Sequence, residues 1–161
     1  MAKNPNSESG IAEDLIRCYV QFGCAEIHAK TLYEKTIAEL NNGLVDVEDN
    51  EVVQAQLDKA QMFREDINAY AEMRRDVMRK LLEMFPNGDK AMWCQAKHLG
   101  IGMMTLFEAY QASDDDVELL HMAYEANEAF TNAMSRFLGV EITSCAACFS
   151  DMLRGDDDAT V

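Results

Sequence analysis

Two prolines and eight glycines in 161 residues leave the chain few places to interrupt regular structure. No run of about eighteen apolar residues is present, which excludes an apolar membrane-spanning helix. The opening Met-Ala-Lys-Asn-Pro-Asn-Ser-Glu-Ser-Gly has no apolar centre of the secretory-leader kind, so cytoplasmic localisation is expected. Bases are scarce as well: 14 Lys and Arg stand against 29 Asp and Glu, giving a net charge of −15 and a sequence pI near 4.4. That excess disfavours direct contact with nucleic acid or an anionic membrane, since cations are what bind phosphate. It suits a solvated surface, or a protein partner that presents a basic groove.

Catalytic and metal signatures are missing too. There is no Gly-rich phosphate loop and no HExxH, and Asp46 to Glu51 lacks the glycine and closing glutamate of an EF-hand. His98 and the other two histidines accompany no nucleophile signature. No enzyme activity, cofactor or metal is expected. The five cysteines are an odd number, read as reduced thiols packed as small hydrophobes. Cys145-Ala-Ala-Cys148 has the spacing of half a zinc site or a redox pair, and no second pair completes it. Glu118-Leu-Leu-His121 has the spacing of a di-iron bundle ligand pair, but it occurs once where two are needed.

What the chain does have is long helical periodicity, supported by 48% hydrophobic content. From Asn50 to Phe85 apolar residues recur at Val53, Leu57, Ala60, Phe63, Ile67, Tyr70, Val77, Leu81 and Phe85. Steps of three and four put these on one face of a helix of about 50 Å, whose stripe requires partner helices along its length. Val52, Met73, Met78, Leu82 and Met84 widen it. A first helix is predicted from near Ser7 or Ser9 to Asn41, with Ile11, Leu15, Cys18, Phe22, Ala25, Ala29, Leu32 and Leu40 on one face and Tyr19, Tyr33 and Ile37 beside it. Asn42-Gly43 ends it. Pro86-Asn87-Gly88 separates the second helix from a third, Lys90 to Gln111, which Asp89 caps. Gly100 and Gly102 lie inside that helix and point to a close approach by a neighbouring backbone, with a locally weak helix as the alternative. Ser113-Asp114-Asp115-Asp116 reads as a capping box for a fourth helix that runs to Leu138 and closes at Gly139. A short fifth helix is expected over Ser144 to Leu153, with flexible tails at 1–8 and 155–161.

The expected fold is therefore a single all-α domain, an antiparallel helical bundle of two long and two shorter helices plus the short C-terminal one. Eight methionines, Met73, Met78, Met84, Met92, Met103, Met104, Met122 and Met134, are placed at or near core faces as gap fillers, with an adaptable groove as the alternative. Arg74, Arg75, Arg79 and Lys80 read as an ion-pair face with Glu72, Asp76 and Glu83.

The charge excess is uneven: −3 over 1–47, −3 over 48–88 and −9 over 89–161. Asp114, Asp115, Asp116 and Glu118 crowd the start of the fourth helix, with Glu125 and Glu128 further along. One or two acids in a first turn are explained by the helix dipole; a run of three is explained less well, because adjacent like charges repel. These six residues are the candidate partner-binding site. The function this implies is non-enzymatic: an acidic helical protein that binds a macromolecule, as an inhibitor or decoy of the anti-defence kind filling the basic groove of a nucleic-acid-handling protein. The alternatives are an assembly subunit that forms homo-oligomers through its helices, and a metal or redox bundle using Cys145 and Cys148.

Overall fold

The computed structural model describes residues 7–46 and 48–142. Of these, 84% are helical and none forms a strand. The elements are α1 (Glu8–Asn41), α2 (Asn50–Met84), a 3₁₀ turn (Lys90–Met92), α3 (Trp93–Gln111) and α4 (Val117–Leu138). The starts of α1, α2, the 3₁₀ turn and α4 carry side-chain caps that answer otherwise orphaned backbone N–H groups, and α3, which continues from the 3₁₀ turn, has none. Ser7 accepts from the Gly10 amide at 3.1 Å, and Asp49 from the Glu51 amide at 2.9 Å. Ser7 and Glu8 thus belong to α1 rather than to a tail. Gly43 and Gly139 take left-handed conformations, with φ of 67° and 70°, just past the ends of α1 and α4.

Two starts differ from expectation. Asp89 caps only the 3₁₀ turn, accepting from Ala91 at 3.0 Å, and α3 proper begins at Trp93. At α4 the N-cap is Asp116, which accepts from the Glu118 and Leu119 amides at 3.0 and 3.3 Å. Ser113 does bind the amide three residues on, at 3.1 Å, but that amide is Asp116's and the bond closes the preceding turn. The turn also places Asp115 at φ 56°, a conformation in which short polar side chains are among the few tolerated.

One hydrophobic core draws on all four helices. Ile16, Tyr19 and Val20 of α1, Met78 and Leu81 of α2, Met103, Met104 and Phe107 of α3, and Phe130, Met134 and Phe137 of α4 are buried together. On α1 the buried line runs through Ala12, Ile16, Tyr19, Gly23 and Cys24, while Ile11, Leu15, Cys18, Phe22 and Ala25 are only half-buried. The expected face is rotated by about one residue, roughly 100°. The N-terminal half of α1 is apolar on two adjacent faces, and the positions of α2 and α3 decide which one is buried.

Along α2 the stripe is covered unevenly. Val77, Met78, Leu81 and Phe85 are buried, as are Ala60 and Phe63, but Leu57 remains 45% exposed and Val52 42%. The helix lengths account for this. At about 1.5 Å per residue, α1 and α2 outrun α3 and α4 by roughly 15 to 25 Å. Beyond the common core, α1 and α2 meet each other through Thr36, Ala60 and Phe63 and a Gln56–Glu39 hydrogen bond of 2.6 Å. Of the eight methionines assigned to the core, Met73, Met84 and Met122 are exposed instead.

At the other end the chain is closely fitted. The Asp89 amide donates to the Arg136 carbonyl at 3.1 Å, and Gly88 lies against the backbone of Phe137 and Leu138, where a Cβ would come within 2.5 Å of the Leu138 carbonyl carbon. This seats the corner between α2 and α3 on the end of α4. No helix among the described residues is long and apolar enough to cross a membrane.

Candidate functional site

The six acidic candidates are all exposed. Glu118 and Glu125, seven residues apart, share one side of α4, and Glu128 stands beside them one turn on. His121, also exposed, lies 3.3 Å from Glu125. No Lys or Arg precedes Arg136 on this helix, so the carboxylates face solvent without a cation from their own element. Asp116 and Asp115 have local duties: one is the N-cap, the other holds the left-handed turn residue. Two of the three aspartates are therefore explained by how α4 begins, leaving Asp114, Glu118 and Glu128, with Glu125 beside His121, as the part of the set that the start of α4 does not employ.

A second surface was not anticipated. Between α2 and the 3₁₀ turn with α3 runs a groove made of two continuous hollows of about 460 and 440 Å³, which share Met78, Leu82 and Trp93. Its floor is Tyr19, Met78 and Trp93, with Pro86 and Phe137 closing one end. Its walls carry Arg74, Arg75, Arg79, Lys90 and Lys97. Trp93 sits 6.5 Å from Tyr19 edge-on and 5.1 Å from Phe137, so the aromatic floor is braced from both sides.

The cations differ in what already holds them. Arg74 is committed: its Nη2 pairs at 2.7 Å with Glu26, a carboxylate only 6% exposed, and its guanidinium lies 5.5 Å from the centre of the Tyr19 ring. Lys30 reaches the same carboxylate at 2.8 Å. Lys90 donates to the Phe85 carbonyl at 2.8 Å and stands over Phe137. Arg79 pairs with Asp76 at 2.9 Å, both well exposed. Among the described residues Arg75 bonds only the Ala71 carbonyl of its own helix, at 3.2 Å. The expected ion-pair face on α2 is thus reduced to one surface pair, Arg79–Asp76, and one inward pair, Arg74–Glu26. The readable signal was the row Lys90, Trp93, Lys97, spaced three and four, but its partners lie some fifteen residues earlier on another helix.

A third hollow of about 520 Å³ lies between α1 and α3, lined by Cys24, His28, Phe107 and Glu108 among others. His28 Nδ1 donates to Glu108 Oε1 at 2.6 Å. A cysteine beside an imidazole and a carboxylate invites a nucleophile reading. Burial, with Glu108 nearby, pushes the Cys24 thiol up to about 12, so it stays protonated and unreactive. Among the described residues no group of three or more His, Cys, Asp or Glu is placed to hold a metal ion. Glu118 and His121 are both exposed on α4. Cys145, Cys148 and the expected helix over 144–153 lie outside the described residues.

The fold and these surfaces define an all-α helical bundle with segregated charge: carboxylates along the outside of α4, cations along one groove of α2 and α3. Compared with protein-family models, curated proteins and solved structures, the chain matches none.

Proposed function

We propose that the protein is a non-enzymatic, single-domain binding protein whose acidic surface engages the basic face of another macromolecule, in the manner of an inhibitor or decoy for a nucleic-acid-handling protein. The observation that carries this reading is the exposed line of Glu118, Glu125 and Glu128 on a helix with no cation before Arg136. Solvated carboxylates spaced along a rigid helix are a plausible physical mimic of a phosphate backbone, because both present fixed negative charge at regular intervals to a complementary field. The same reading takes α1 and α2 as an antiparallel pair, which the order of their contacts supports: Glu26 meets Arg74, and Glu39 meets Gln56.

Affinity capture from the native host identifies the partner. Its binding is then measured for the wild type and for Glu118→Lys, Glu125→Lys, Glu128→Lys at about 50 and about 300 mM salt. The expected result is binding that weakens steeply with salt and with charge reversal, and a partner that loses nucleic acid when this protein is added. Affinity indifferent to both changes refutes the reading.

One specific feature favours a second reading as an assembly subunit. Val52, Leu57 and Met62 are exposed on the part of α2 that outruns α3 and α4. Sedimentation velocity distinguishes it: an oligomer dissociated by Leu57→Glu supports assembly through this surface, and a monomer at all accessible concentrations rejects it.

A further inference from the structure

The groove between α2 and α3 is where this acidic chain gathers cations, and the acidic-surface reading makes no use of it. Arg74, Arg75, Arg79, Lys90 and Lys97 are five of the 14 Lys and Arg in the whole sequence, and among the described residues no Asp or Glu lines either hollow. We propose that the groove is the docking site for an acidic peptide segment of a partner protein, one that carries apolar anchors among its carboxylates.

Three features select that occupant. The groove follows α2 from Ala71 to the helix end at Met84, about 20 Å at 1.5 Å per residue, and on to Pro86, which suits a peptide better than a single phosphate group. Its cations come from three elements, Arg74, Arg75 and Arg79 of α2, Lys90 of the 3₁₀ turn and Lys97 of α3, so they match several charges rather than one. The second feature is polarity: one end holds Met78, Leu82, Pro86, Trp93 and Phe137, with Leu82 39% exposed, and this end receives side chains rather than charge. Helices and extended segments that bind such troughs do so through a few apolar anchors. The third is the field of the whole molecule. A long polyanion such as DNA meets repulsion from the −15 surface beyond the groove, whereas a short acidic segment confines its charge to the cations that line it. Arg75 has no ion pair among the described residues, and the exposed Arg79–Asp76 pair is weak enough to exchange for a peptide carboxylate.

Trp93 is the only tryptophan in the chain and sits on the groove floor, so its fluorescence reports occupancy in the intact protein. The probes are tryptophan-free synthetic peptides of about fifteen residues: one glutamate-rich with leucine anchors at helical spacing, one of equal charge without anchors, and one with lysine replacing each glutamate. A single-stranded DNA of similar length is the fourth. The expected result is a shift of Trp93 emission by the acidic peptides and not by the lysine peptide, with affinity roughly tenfold lower without anchors and roughly fivefold lower at about 300 than at about 50 mM salt. Arg79→Glu with Lys97→Glu abolishes the response while circular dichroism stays unchanged. Should that pair disturb the fold, Arg79→Gln with Lys97→Gln still lowers affinity. Tighter binding of DNA than of peptide, or a response untouched by these substitutions, overturns the proposal. So does an emission that ignores every peptide but shifts when Asp156, Asp157 and Asp158 become asparagine, which assigns the groove to this chain's own sequence.

Discussion

Gly100 and Gly102 stand two residues apart in α3, and the structure assigns their replacement by alanine different outcomes. In a helix interior, alanine is favoured over glycine by about 1 kcal/mol, because glycine loses more backbone freedom on folding. At Gly102 that is the whole effect: an added Cβ meets nothing within 4 Å. Gly102→Ala is expected to stabilise the protein by about 1 kcal/mol, or about 2 to 4 °C in Tm for a chain of this size. At Gly100 the same Cβ lands 2.8 Å from Cε2 and 3.2 Å from Cδ2 of Phe130. That ring is fully buried and stacked on Tyr19 at 6.5 Å, so it has no free space to yield into. Overfilling a tight core costs about 1 to 3 kcal/mol, against the same gain of about 1 kcal/mol in helix propensity. The two variants should therefore differ by about 1 to 3 kcal/mol, with Gly100→Ala the less stable. Because the propensity contribution is common to both, the difference isolates the steric clash. Urea unfolding followed by far-ultraviolet circular dichroism measures it. Equal stabilisation by both substitutions would show that Phe130 does not rest on Gly100 and would refute the placement of α4 against α3.

At the α4 cap, Asp116→Ser should be nearly neutral and Asp116→Lys should cost about 0.5 to 2 kcal/mol, while Asp115→Gly is tolerated because of its φ of 56°; thermal melts in which Asp116→Lys matches wild type would reject the cap. Arg74→Met removes the α2 partner of buried Glu26 and should cost about 3 kcal/mol, the low end for a broken buried pair because Lys30 remains, with Glu26→Gln in the same background recovering part of it. A loss below about 1 kcal/mol would mean the pair is solvent-screened. Among the described cysteines, exposed Cys94 should be alkylated quickly at neutral pH and Cys24 only on unfolding, as read by mass spectrometry of the labelled peptides. The Cys24 thiol lies above its ordinary 9.0, at about 12, so the unfolded chain ionises first. Stability from this group is complete below pH 9 and is lost as pH rises towards 12; Tyr19, raised from 10.0 chiefly by burial, adds in the same direction. Stability that is constant or rising across that range would contradict the burial of both.

Much of the fold was legible because the signals for it are local. Helix periodicity, Pro86 with Asn87-Gly88, and the left-handed glycines at 43 and 139 act within a turn or two of chain, so the extents of α1 and α2 follow from sequence to within a residue. Asp115 and Asp116 were visible as acids, but their employment as turn residue and cap depends on where Ser113 closes the preceding turn. Which of two apolar faces of α1 is buried could not be local, since Ile11-Ala12 and Leu15-Ile16 are equivalent in pattern and only the direction of approach of α2 and α3 separates them. The stripe on α2 likewise says that a partner helix is favourable and not how far one extends, which leaves Leu57 exposed. The basic groove is the clearest case. Arg75 and Arg79 on one helix and Trp93 and Lys97 on another carry no pairing signal in the chain; they become one surface when Gly88 seats against the end of α4 and brings α3 alongside α2. Charge and periodicity are properties of segments, and the sequence determines them alone. A groove is a property of the distance between segments, and only the packing of the core sets that distance.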